Sequence, residues 1–121
     1  MNNSYSFDKE DFKNYLRISF DEDDQTIEAF WHGAEEYICN RISKYATVDR
    51  LIDYKMFPVA VKLLATHWYE SKSAVLQSTT VKANSTEIPF GVESLIYGMQ
   101  ARFFNDPKFS EYKNSDNADH N

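Results

Sequence analysis

Between residues 23 and 45 the apolar side chains recur at intervals of three and four: Ile27, Phe30, Trp31, Ala34, Tyr37, Ile38, Ile42 and Tyr45. That spacing places all of them on one face of a helix, and no strand does so. A helix with so wide an apolar face must bury it against other elements. In a chain of 121 residues this commits most of the fold to helix on helix. The spacing predicts a helix from about Asp23 to Ser43. Gly33 lies inside it and costs about 1 kcal/mol against alanine, which is consistent with close approach of a neighbouring helix.

The rest of the chain follows the same logic. Phe7, Phe12, Tyr15 and Leu16 form one face of a short helix from about Phe7 to Ile18, with Ser6 as its expected N-cap. Asp21, Glu22, Asp23 and Asp24 break that helix and supply negative charge to the start of the next. Residues 46–57 read as a connector with a helical turn near Val48–Ile52. Pro58 suits the first turn of a third helix over about 58–75. Its stripe of Val59, Ala60, Leu63, Leu64, His67, Trp68 and Val75 is broad enough to be covered on more than one side. A last helix runs from about Val92 to Phe104 with Leu95, Ile96, Met99, Phe103 and Phe104.

Between the third and last helices, residues 77–87 are rich in Ser and Thr and read as a long polar loop. Ile88-Pro89-Phe90-Gly91 is an apolar turn at its end. Residues 1–6 and 105–121 are polar and are expected to be flexible and disordered, respectively. The expected architecture is therefore all-α. About four helices form a compact bundle over residues 7–104, with a long polar loop before the last helix and a disordered tail.

Composition narrows the function. Three glycines and three prolines argue against a turn-dense β-sandwich, and one cysteine forbids an internal disulfide. There is no apolar run of membrane-spanning length, and Met1 to Phe7 lacks the regions of a signal peptide. The net charge of −6 argues against a broadly basic nucleic-acid binder. Charge is also uneven. Residues 8–53 carry twelve acids against six bases, and residues 54–113 carry seven bases against five acids. Solvated helix faces explain this, and so does contact between the acidic part of one copy and the basic part of the next.

No constellation supports catalysis. Counted from Asp21, a calcium loop would need glycine and glutamate where Thr26 and His32 stand. Glu28, His32 and Glu36, and His67 with Glu70, do not make a His-Glu-x-x-His or paired Glu-x-x-His set. His67 reads as a satisfied core histidine and Cys39 as a small buried hydrophobe. Nucleophile-elbow and glycine-rich phosphate loops are missing. The chain is expected to be no enzyme and to need neither cofactor nor metal. A helix-turn-helix regulator would expose Arg, Lys, Asn or Gln on its second helix, and only Lys62, Lys72, Gln100 and Arg102 offer themselves.

Three stretches together resemble one family. They are Lys13-Asn-Tyr-Leu-Arg-Ile-Ser-Phe-Asp-Glu-Asp-Asp24 with Ile27, Ala34 and Tyr37-Ile38; Ala65-Thr-His-Trp-Tyr-Glu70; and Ile88-Pro-Phe-Gly-Val92 with Leu95. In this order, over about residues 6–104, they resemble the tailed-phage head–tail connector proteins, also called adaptor or DNA-packaging proteins. Met56-Phe57-Pro58 departs from the more polar entry expected for the third helix.

The resemblance implies a structural subunit of the virion, made in the bacterial host cytoplasm. About twelve copies would form a ring beneath the portal protein. The ring would extend the DNA channel and receive the next connector or the tail. DNA would pass without sequence-specific contact, and no membrane is involved. A small helical DNA-binding regulator, or a generic interaction module, is the alternative.

Leu16, Ile27, Ala34, Ile38, Leu64, Trp68, Tyr69 and Leu95 are the expected core motif. Candidate assembly contacts are Ile88, Pro89, Phe90, Gly91 and Val92, the loop residues Thr79, Thr80, Val81 and Lys82, and Phe109 and Tyr112 in the tail. Phe90 is expected to anchor its turn in apolar surface. If it does, Phe90→Ala should lower stability by about 3 kcal/mol. Removal of the tail should leave the fold intact.

Overall fold

The computed structural model describes residues 5–77 and 88–118. Among these are five helices and no strand: α1 (Lys9–Leu16), α2 (Asp24–Ile42), α3 (Met56–Gln77), α4 (Phe90–Phe104) and α5 (Phe109–Ala118). The all-α reading holds. α2 and α3 pack along each other, α4 packs on both, and α1 lies on α2.

Local chemistry sets the ends. Asp8, not Ser6, caps α1. Its carboxylate accepts from the Asp11 amide at 3.0 Å, satisfying a donor that the first turn leaves free. α1 stops at Leu16 because Arg17 takes the left-handed conformation, φ 63°. The Arg17 and Ile18 amides then turn back to the carbonyls of Asn14 and Lys13. Pro58 is the third residue of α3, where its missing N–H is harmless. Pro89 precedes α4, and its carbonyl accepts from Val92 and Glu93.

The core is continuous. Ile27, Trp31, Ala34, Ile38 and Ile42 of α2 meet Phe57, Ala60, Val61, Leu64 and Ala65 of α3, with Phe12, Leu51, Val92, Ile96 and Phe103 closing the sides. Each large apolar side chain so buried contributes about 1.5–3 kcal/mol. Of the expected core motif, Ile27, Ala34, Ile38 and Leu64 are fully buried. Leu16, Trp68, Tyr69 and Leu95 are half-buried against the core. The α3 stripe is wider than its cover, because Val59 and Leu63 are exposed. Tyr45 lies beyond the end of α2, where Ser43 is extended, and its ring meets Phe109.

Tyr5, in the stretch expected to be flexible, is held. Its hydroxyl donates to Glu35 at 2.6 Å and accepts from the Trp31 indole at 2.7 Å.

The tail is not disordered over Phe109–Ala118, which form α5. Phe109 and Tyr112 lie three apart and pack on Phe103, with ring centroids at 5.7 Å for each. Arg50 of the connector reaches Asp116 with two hydrogen bonds of 3.1 Å and lies over the Tyr112 ring at 4.2 Å. Tertiary docking thus stabilises a helix whose own sequence is mostly polar. Deletion of the tail would uncover Phe103.

The acid run does more than mark a helix start. Asp23 makes no side-chain cap bond, and the run binds cations and a tyrosine instead.

Gly33 faces Trp68, but an added Cβ would sit 3.6 Å from the indole, an ordinary contact. The close approach therefore does not demand glycine. Gly33→Ala should raise stability by up to about 1 kcal/mol through helix propensity, measured by urea unfolding. A loss would show that α3 cannot tolerate the methyl.

Candidate assembly surface

The Lys13 side chain is the least expected feature. The residue is only 3% exposed, yet it carries an ammonium. Asp21 and Asp24 approach its Nζ at 2.6 and 2.8 Å, and Lys9 joins Asp24 at 3.3 Å. Lys13 donates to Asp21 and ion-pairs with Asp24; the two carboxylates raise the Lys13 pKa, and Lys13 in turn holds Asp24 below the usual carboxylate range. Beside it, the Tyr69 hydroxyl donates to Asp23 at 2.7 Å. Burial and that bond push the tyrosine up to about 12. The acid run thus ties α1, α2 and α3 together.

The basic and amide groups offered for nucleic acid are largely engaged. Lys62 reaches Asp11 at 3.4 Å and lies over Tyr15. Lys72 lies over Tyr69 and near Asp23. Arg102 covers the Tyr54 ring at 3.9 Å. Gln100 donates to the Arg41 and Ile42 carbonyls, satisfying acceptors at the end of α2. Arg41 grips Glu93 with two bonds of 2.7 and 3.1 Å, and that pairing lowers the Glu93 pKa.

Among the described residues, no group of three or more His, Cys, Asp or Glu side chains could hold a metal ion. Cys39 is buried, and burial pushes its thiol up to about 12, which fits a packing role. His32 pairs with Glu35 at 2.9 Å. His67 is half-buried, and among the described residues its Nε2 is enclosed without a hydrogen-bond partner. No described helix is long and apolar enough to cross a membrane.

The expected contact segment divides. Val92 is fully buried, Ile88 packs half-buried on the core, and Pro89 shapes the entry to α4. Phe90 is neither core nor anchor within the subunit, since it is 84% exposed. Ile88 and Val92, four apart, face inward and leave Phe90 between them facing out. Phe90→Ala should therefore change the unfolding free energy by less than about 0.5 kcal/mol, replacing the larger loss expected from sequence. A melting curve of the monomer checks this. Gly91 is exposed, with open space where a Cβ would stand. Phe109 and Tyr112 are used inside the subunit. Thr79, Thr80, Val81 and Lys82 lie outside the described residues.

Among the described residues two exposed apolar faces remain. On α4, Phe90, Tyr97 and Phe104 stand seven apart and are 84%, 59% and 48% exposed, with Ser94 and Ala101 between them. On α3, Met56, Val59 and Leu63 are exposed at intervals of three and four. Val59 and Leu63 line a groove of about 380 Å³ with Tyr15, Lys62, Asp8 and Asp11. Nothing in the α4 pattern names its role in advance, because the helix is apolar nearly all round.

These features describe a small helical domain with a closed core and aromatic side chains left on its surface. A family model described as phage gp6-like head-tail connector protein matches residues 10–100, and the chain belongs to that family. No match was found among curated proteins or among solved structures.

Proposed function

We propose that this connector acts as one subunit of a homo-oligomeric ring at the head–tail junction of the virion. The ring, of about twelve copies, docks beneath the portal protein and extends the DNA channel. It then receives the next head-completion or tail connector, and DNA passes its lumen without sequence-specific contact. The role is structural, with no catalytic step and no cofactor. Residues 7–104 are the connector domain, and the segment with Thr79, Thr80, Val81 and Lys82 contacts neighbouring subunits or the portal.

The match over residues 10–100 carries this reading. The engaged state of Lys62, Lys72, Arg102 and Gln100 supports it over the regulator, which needs such groups free to reach base edges.

Co-sedimentation with the portal protein of the same virus tests the reading. The expected result is a stable complex together with no band shift of duplex DNA at physiological salt. Absence of a portal complex, with salt-steep DNA binding, would favour the regulator.

A further inference from the structure

The two uncovered faces differ in shape and in charge. The α4 face follows the alternating three–four spacing of a helix-docking seam, with Phe90, Tyr97 and Phe104 projecting and Ser94 and Ala101 recessed. Aromatic side chains exposed in register on one helix are a large apolar liability for a monomer. The α1–α3 groove is lined by the apolar side chains of Tyr15, Trp31, Val59 and Leu63 and is of a volume that admits an aromatic side chain.

It carries two carboxylates, Asp8 and Asp11, against one cation, Lys62, and since Lys62 is paired with Asp11 the charge left over is that of Asp8. Beside the α4 face the balance reverses. The adjoining groove carries Lys55 and Arg102 against Asp53 alone, and the acid of α4, Glu93, is already paired with Arg41. Phe90, Tyr97 and Phe104 share no residue with the α1–α3 groove, although Met56 of the α3 face also lines the groove beside α4, and Asp53 and Lys55 border Tyr5 and Pro58 of the α1–α3 groove.

We infer that the α4 face of one subunit seats in the α1–α3 groove of the next copy of this chain. Tyr97 and Phe90 enter the groove, and the Lys55–Arg102 side meets the Asp8–Asp11 rim. This rests on the ring reading above and names the surfaces that make it. Because the contact joins two different faces, each subunit at the end of a chain of copies keeps one face free, and the contacts give a closed ring where the rotation between copies closes and an open filament where it does not. The opposed rims set direction and exclude α4 packing on α4.

Complementing variants test the pairing. Phe90→Ser with Tyr97→Ser removes the projecting face, and Val59→Asp with Leu63→Asp blocks the groove. All four positions are exposed, so each double variant should melt like the monomeric wild type. Neither should form rings alone. Mixed, they should give dimers and nothing larger, because only one productive contact remains between them.

A disulfide pair reads the same contact. The Tyr97→Cys, Leu63→Cys chain should oxidise to a ladder of covalent multimers, while Tyr97→Cys alone should not dimerise. Rings that persist in the Phe90→Ser, Tyr97→Ser variant would overturn this inference and leave the ring reading standing. Covalent dimers from Tyr97→Cys alone would overturn it in favour of α4 self-pairing. A wild-type chain that stays monomeric with and without portal would overturn the ring reading and this inference with it.

Discussion

Phe103→Ala should lower the unfolding free energy by about 4 kcal/mol, the largest single-residue effect expected in this chain. Phe103 is 1% exposed, and its ring is shared by three partners. Tyr54 lies at 6.5 Å, and Phe109 and Tyr112 each at 5.7 Å. The substitution leaves a cavity where the connector, α4 and α5 converge. A domain of this size has about 5–15 kcal/mol in total, so the loss is a large fraction of it.

The damage should also be local. α5 is mostly polar and depends on docking, so its amides should lose hydrogen-exchange protection while those of α2 keep theirs below the transition. Urea unfolding gives the first number and exchange the second. A loss under 2 kcal/mol, with α5 still protected, would show that Phe103 is not the keystone of this corner.

Asp24→Asn should produce a pH-dependent loss. The substitution leaves the enclosed Lys13 ammonium with Asp21, whose side chain is largely exposed, as its remaining carboxylate partner. The sign follows from linkage. The folded-state pKa of Asp24 is depressed, so its contribution is fully present above the unfolded value of about 3.9 and is lost as pH falls through the depressed folded value. Lys13 is shifted up, so its contribution is present below about 10.4 and fades only as pH rises through the higher folded value. The melting temperatures of wild type and variant should differ most near neutral pH and converge as pH drops below about 4. A difference that stays constant down to pH 2.5 would contradict the assignment of this pair.

How much of this was legible follows from the range of the interactions. α2 was visible because its apolar spacing is sustained over many turns, and its bounds moved by about one residue. α1 was shortened by the left-handed Arg17, a backbone choice that no periodicity encodes. α5 was invisible because its described apolar contacts are only Phe109 and Tyr112, and the helix forms where Phe103 and Arg50 receive them.

The surface was read in part. The segment around Ile88–Val92 did stand out, but apolar character alone does not say which side chain faces out. Ile88 and Val92 took the inward positions, and Phe90 was left to solvent. The seam of Phe90, Tyr97 and Phe104 was hidden because α4 is apolar on both sides, so its outer stripe looked like more core. Lys13 could be found only by noticing a lysine eight residues before an acid run, a signal that gains meaning once α1 is laid on α2.

The most direct test of the central claim is the native mass of the chain across a concentration series, by light scattering, with negative-stain images of the heaviest species, alone and with portal protein present. A subunit is 14.2 kDa. The account predicts a closed species of roughly 170 kDa, seen as rings with a central hole. A strict monomer or an isologous dimer under both conditions would contradict it.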